Sequence, residues 1–148
     1  MDLILWRHAD AEEGADDQAR ALTAKGRKQA ERMARWLDGQ LPEAARMIVS
    51  PATRAQQTAE ALSRKKVTDD GVNTGARAAD VLKAAGWPSG EGAVIVVGHQ
   101  PTLGAAAALA LTGTPKSWRM KKGAVWWLRS GEAGEGAMVV AVVPPEMV

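Results

Sequence analysis

Apolar positions along this chain form two kinds of pattern: short unbroken runs, and stretches that recur every three or four residues. Residues 2–6, 46–49 and 93–97 are almost wholly apolar, carrying Leu-Ile-Leu-Trp, Met-Ile-Val and Val-Ile-Val-Val. Such runs suit strands covered on both faces. Ala30, Met33, Ala34, Leu37 and Leu41 instead recur at helical spacing, predicting a helix that Thr23 caps, that runs to about residue 40 and that Pro42 ends. Ser50 is a suitable N-cap and Pro51 suits a first helical position, so a second helix is expected to run to about Arg64. Val67 fits a short third strand, and Asp69-Asp70-Gly71 is a turn signal.

Residues 76–85 read as a helix closed by Gly86, with Pro88 just beyond. Gln100-Pro101 repeats the cap-then-proline pattern and opens an alanine-rich helix to about Thr112. Residues 123–128 and 137–143 are β-like and joined by the Gly-rich stretch 130–136, which predicts a hairpin. Residues 8–22 are polar, with Asp10, Glu12, Glu13, Asp16 and Asp17, and read as a long loop. Alternating strands and helices predict one α/β domain over residues 1–148, with a mostly parallel central sheet and a C-terminal β-hairpin.

Composition narrows this only a little. At 148 residues, 46% hydrophobic and 24% charged, the chain can bury one core. No apolar run approaches the ~20 residues of a membrane helix, and no basic-apolar leader precedes the first strand. Cysteine is absent, which excludes disulfides and cysteine-based zinc sites. A cytoplasmic location, with no membrane partner, fits these features. A formal charge of +2 does not argue for nucleic acid as a partner. Phe and Tyr are missing while Trp occurs six times, so Trp, Leu, Val and Met have to fill the large core positions.

The chemistry lies where the apolar runs end. In a parallel α/β sheet the carboxyl ends of the strands face the ligand crevice. The runs here end in Arg7-His8, in Ser50-Pro51-x-x-Arg54-Ala-x-Gln57-Thr58, and in Gly98-His99-Gln-Pro101. Two imidazoles and two guanidiniums would thus meet at one sheet edge. Arginine's planar fork matches phosphoryl oxygens, helix starts favour anions, and a neutral imidazole can form a covalent intermediate. No carboxylate cluster beside them suggests a metal cage, so a metal-independent phosphoryl site is expected. Taken singly, each signal has a plainer reading: a solvated histidine, a surface arginine, an ordinary helix start. Their occurrence together, in this order, is what carries weight.

The combination resembles the histidine phosphatase superfamily, and within it the short SixA-type phosphohistidine phosphatases of bacteria. The matching motifs spread from Leu3 to Gly104. The resemblance implies a three-layer α/β/α sandwich of phosphoglycerate mutase-like type and no cofactor. It also implies that His8 is the phosphorylated nucleophile and that Arg7, Arg54 and His99 complete the phosphate pocket. The chain departs from the family at Ala9, where most members have Gly.

The proton donor is a second departure. Many relatives supply an acid between the Arg54 helix and the Gly-His-x-Pro motif. Here that stretch offers Asp69 and Asp70, with Asp10 and Glu12 as further candidates; each also has a plain reading as a solvated turn or loop cap. A phosphohistidine substrate tolerates a missing acid. Its imidazole leaves with a conjugate-acid pKa near ~6.5, whereas an alkoxide, like water at ~16, needs a proton.

The short stretch between Arg54 and Gly98 leaves little room for a cap over the pocket, so a histidine on a partner protein could enter. Trp118, Arg119, Lys121 and Lys122 either line that approach or form a basic turn beside a core Trp, and Trp126 and Trp127 are expected to pack on opposite faces. The expected substrate is therefore a phosphohistidine-bearing protein, of the phosphorelay or phosphotransferase-system type by resemblance. Two alternatives stay open: a phosphatase or mutase for small phosphate esters, and a phosphate-binding module without turnover.

Overall fold

The computed structural model describes residues 1–148. Its strands are β1 (Asp2–Arg7), β2 (Arg46–Val49), β3 (Lys66–Thr68), β4 (Ala93–Gly98), β5 (Val125–Arg129) and β6 (Met138–Val143). Its helices are α1 (Ala24–Gln40), α2 (Thr53–Glu60), α3 (Ala78–Ala85) and α4 (Thr102–Thr112). The six strands form one sheet in the order β3-β2-β4-β1-β5-β6. The first four in that order are mutually parallel, β5 runs antiparallel to β1, and β6 closes the edge as the second arm of a hairpin.

The apolar runs lie where both faces are covered. Leu3, Leu5, Val94 and Val96 pack with Val81, Leu82, Leu103 and Ala106 from α3 and α4. Ile4, Trp6, Ile95 and Val97 pack on the opposite face with Met33, Leu37, Ala55 and Ala59 from α1 and α2. The result is a three-layer α/β/α sandwich. Trp127 joins the α1–α2 side and Trp126 the α3–α4 side, as alternation along a strand requires. No helix is long and apolar enough to cross a membrane.

Several boundaries differ from the sequence reading, among them the start of α3 at Ala78 rather than residue 76 and of β5 at Val125 rather than residue 123. The second helix starts at Thr53 rather than Pro51 and stops at Glu60 rather than Arg64. The Ser50 hydroxyl accepts from Ala52 N–H at 3.2 Å, which makes residues 50–52 a tight turn in front of the helix instead of its cap. Pro101 sits at the N-cap of α4 rather than in its first turn, so that helix begins at Thr102, one residue later than expected. β6 forms as predicted, yet Met138, Val139, Val140 and Val142 are exposed, because no helix covers that outer edge.

Two glycines set the walls around the strand ends. A Cβ on Gly26 would fall 2.0 Å from Asp10 O, and one on Gly104 would fall 1.8 Å from Trp118 O. Each lets a loop carbonyl lie directly against a helix. Gly26 thereby seats the loop after β1 on α1, and Gly104 seats residues 118–122 on α4.

Candidate active site

β1 and β4 are paired neighbours, with Arg7 opposite Gly98, so His8 and His99 leave the sheet side by side. His8 N–H donates to Gly98 O at 3.0 Å, tying the two loops together. The next residue, Ala9, donates its N–H to the buried Thr58 hydroxyl at 3.0 Å, and that hydroxyl donates to Arg54 O at 2.7 Å. Thr58 therefore couples the loop after β1 to the helix carrying Arg54. Ala9 is fully buried, and no non-glycine residue has a positive φ, so alanine fits here without strain.

The imidazole rings of His8 and His99 lie with centroids 5.2 Å apart. His8 donates from Nδ1 to Ala9 O at 2.7 Å, which leaves the lone pair on Nε2 with no protein partner. His99 Nε2 is 2.7 Å from the fully buried Ser50 hydroxyl. Asn73 Oδ1 accepts from Thr74 N–H at 2.7 Å and, at 3.3 Å, is an acceptor for the Ser50 proton. His99 thus donates from Nε2, and its Nδ1 is buried with no partner at all.

Burial pushes the His8 pKa down to about 4; the Ala9 carbonyl partly opposes this, and Arg54, Arg7 and Arg20 reinforce it. Burial, with His8 and Arg54 adding to it, pushes His99 down to about 3. Both rings are neutral at pH 7. Arg7 is anchored by Nη1 donating to Met120 O at 2.7 Å. Arg54 donates to Asp17 O at 2.6 Å and to Asp17 Oδ2 at 3.2 Å. Burial disfavours the Asp17 carboxylate, but the hydrogen bonds from Arg54 and Arg20 outweigh it and hold its pKa low. The Nε atoms of Arg7 and Arg54 are buried without acceptors. These residues thus carry buried N–H donors without acceptors and a bare imidazole nitrogen, groups of the kind that suit a tetrahedral oxyanion.

Arg7, His8, Arg54 and His99 all line one cleft of about 430 Å³, together with Glu13, Arg20, Gln100 and Lys122. The acid candidates from the sequence do not line it. Asp10 accepts from Thr23 Oγ1 at 2.8 Å and pairs with Lys122 at 2.9 Å, so it braces the loop on α1. Asp69 accepts from Gly71 N–H at 2.7 Å as a turn cap, and Asp70 opens the short 3-10 turn Asp70–Val72. Glu12 is exposed and outside the cleft. Glu13 is the one carboxylate residue in the lining. Sequence reasoning placed it in the loop but gave no reason to prefer it to Glu12. Ser50 and Thr58 were legible only as motif letters, and Asp17 only as loop charge.

Of the segment before the hairpin, Lys122 lines the cleft, and Arg119 and Lys121 flank Arg7 in an adjoining depression. Trp118 stacks on Trp126, ring centroids 5.9 Å apart. No group of three or more histidine or carboxylate side chains is placed to hold a metal ion.

Residues 3–72 match the histidine phosphatase superfamily (branch 1). An uncharacterised protein of Picosynechococcus sp. is 33% identical over 144 residues, covering 90% of this chain and 87% of its own. The phosphohistidine phosphatase SixA of Escherichia coli is 44% identical over 61 residues; that match spans 40% of this chain and 38% of the relative. A solved structure of the protein histidine phosphatase SixA complexed with tungstate superposes with a TM-score of 0.80 at 26% identity, covering 99% of both chains. A phosphoserine phosphatase of Entamoeba histolytica shares the fold at 15% identity, with a TM-score of 0.72 over 95% of each chain.

Proposed function

The chain belongs to the histidine phosphatase superfamily, and from that premise we propose that it is a phosphohistidine phosphatase acting on a protein through a phospho-His8 intermediate. The observation that carries this is the free Nε2 of His8. Its ring is fixed by the Ala9 hydrogen bond and stays neutral at pH 7 among the guanidiniums of Arg7 and Arg54.

In the first step the His8 Nε2 lone pair attacks phosphorus in line, a new P–N bond forms, and the substrate's P–N bond breaks. The electron pair departs with the substrate imidazole, which carries a proton on its other ring nitrogen or takes one up from solvent. Arg7 and Arg54 neutralise charge on the equatorial oxygens, where it is spread in the transition state. Water then attacks phosphorus, the P–Nε2 bond breaks with its electron pair returning to Nε2, and the two water protons leave with inorganic phosphate, one passing to solvent. His8 returns neutral, its Nδ1–H still held by Ala9 O.

Support for the phosphohistidine substrate comes from the acid and from the similarity to SixA. Glu13 is the one carboxylate residue in the lining, and a substrate imidazole already protonated on its other ring nitrogen leaves as the neutral ring without a further acid. One observation favours a second reading, hydrolysis of small phosphate esters: Glu13 reaches the lining, and an ester would require it as general acid.

The test is phosphate release from phosphohistidine compared with phosphoserine and sugar phosphates, in the wild type, His8→Gln and Glu13→Gln. We expect phosphohistidine to be preferred, an acid-labile phosphoryl group on His8, and at least a roughly thousandfold loss in His8→Gln. Glu13→Gln should keep phosphohistidine turnover within a few-fold. A preference for esters that Glu13→Gln abolishes would overturn the substrate assignment, and full turnover in His8→Gln would overturn the mechanism.

A further inference from the structure

A second depression, larger than the histidine cleft at about 700 Å³, lies between the N-terminal half of α1 and Lys121-Lys122, with Pro145 and Glu146 at its end. Among its lining residues Lys25, Lys28, Arg32, Lys121 and Lys122 face one carboxylate, Glu146. Five cations against one anion leave +4 in this groove, on a chain whose formal total is +2. The remaining surface is therefore net acidic.

Lys121 is paired with Glu146 at 2.6 Å and Lys122 with Asp10 at 2.9 Å, but Lys25, Lys28 and Arg32 make no ion pair. Those three are exposed, and their three- and four-residue spacing puts them on one helix face. Lys25 and Lys28 also sit at the positive end of the α1 dipole, which has no acidic residue in its first turn. Stability alone favours carboxylates there. Lys122 lines both this groove and the histidine cleft, so the two are continuous.

We propose that the groove docks an acidic face of the phosphohistidine-bearing protein and so delivers its side chain past Lys122 to His8. The proposal rests on the phosphohistidine reading for what is delivered, but not for what is bound. A protein face fits better than nucleic acid. The unpaired cations span only about 10 Å of helix, at 1.5 Å per residue. A compact acidic patch matches a run of that length, whereas a duplex would need unpaired cations well beyond it.

The experiment uses three substrates: phosphoimidazole, a phosphohistidine peptide flanked by Asp and Glu, and the same peptide with Asn and Gln in their place. In the triple variant Lys25→Glu, Lys28→Glu, Arg32→Glu we expect kcat/KM on the acidic peptide to fall at least about tenfold, within the range that charge steering supplies. Phosphoimidazole turnover should stay within twofold, which also reports folding, and a triple alanine variant should fall in between. The wild type's preference for the acidic peptide should vanish at high salt. Equal effects on acidic and amide peptides, or none, would overturn the proposal.

Binding of the unphosphorylated acidic peptide, followed by fluorescence anisotropy, separates the two claims. If the wild type hydrolyses none of the substrates, the phosphohistidine reading fails, while loss of peptide binding in the variant still supports the groove. Displacement of the peptide by a mixed-sequence DNA duplex at lower concentration than by acidic peptide would overturn the choice of a protein partner.

Discussion

His8 and His99 stand with ring centroids 5.2 Å apart, tilted by 52°, each held by a single hydrogen bond from one ring nitrogen. Their free nitrogens differ: His8 exposes Nε2 and His99 buries Nδ1 without a partner. Two like rings so close cannot both carry charge cheaply, which is why His8 is among the causes depressing His99. The pair is therefore an uncharged ring with a free Nε2 beside an uncharged ring whose protonation a neighbouring anion would favour.

Stability should fall on mild acidification. An unfolded imidazole titrates near 6.5, whereas folded His8 titrates at about 4 and His99 at about 3. Between these values the unfolded chain binds more protons, so the contribution is intact above pH 6.5 and is lost as pH falls. At pH 4.5 the cost is roughly 2 to 3 kcal/mol for each ring, taking 1.36 kcal/mol per pH unit. Asp2, Asp10 and Asp17 have pKa values lowered from 3.8, so their losses come at lower pH still. Urea midpoints measured at pH 7.5 and 4.5 should converge in His8→Gln and His99→Gln, each removing about half the slope. A wild type equally stable at both pH values would show that the rings are not held neutral.

Anion binding should take up a proton. His99 donates from Nε2 to Ser50, so its bare Nδ1 presents a lone pair to a phosphoryl oxygen until it is protonated. A tetrahedral dianion between Arg7 and Arg54 supplies the negative charge that makes protonation favourable. Calorimetric titration with tungstate at pH 7.5, in buffers of different ionisation enthalpy, should give an uptake of about one proton per site. Ser50→Ala should reduce that uptake and shift the acid limb of the kcat/KM profile. Zero uptake in the wild type would place the donated proton elsewhere.

Thr58 should matter to turnover although it does not line the cleft. Thr58→Val keeps the shape but leaves the buried Ala9 N–H without an acceptor. An orphaned buried donor costs about 1 to 3 kcal/mol. The Ala9 carbonyl orients His8, so kcat should fall by about tenfold while Thr58→Ser restores both stability and rate. A valine variant as stable and active as the wild type would remove Thr58 as a positioning residue.

The parts of this fold that were legible in the sequence are those set by local rules. Burial on two faces writes itself as the unbroken runs of β1, β2 and β4, and the Thr23 cap and Gly86 stop are chemistry of adjacent residues. Strand ends then place Arg7, His8 and His99 without knowledge of packing. What escaped depends on long-range closure. Asp17 meets Arg54 only because the 8–22 loop folds back over α2, with Leu22 N–H donating to Gln57 Oε1 at 2.7 Å. Ser50 read as a cap because the cap and the turn have the same sequence signature. Glu13 and Glu12 are adjacent in the chain, and only the path of the loop decides which one lines the cleft.

Ala9 offers a check on the departure from the family's glycine. Its methyl is fully buried against Leu22 and Ala30, and its backbone occupies no region reserved for glycine. Ala9→Gly removes about 0.8 kcal/mol of apolar burial and adds roughly 0.5 to 1 kcal/mol of backbone entropy on unfolding. The variant should lose about 1 to 2 kcal/mol of stability, read as a lower denaturation midpoint. Its phosphate release should stay within twofold, because the Thr58 and His8 bonds run through the backbone and survive the change. A several-fold gain in rate would instead mean that the methyl restrains the loop that orients His8.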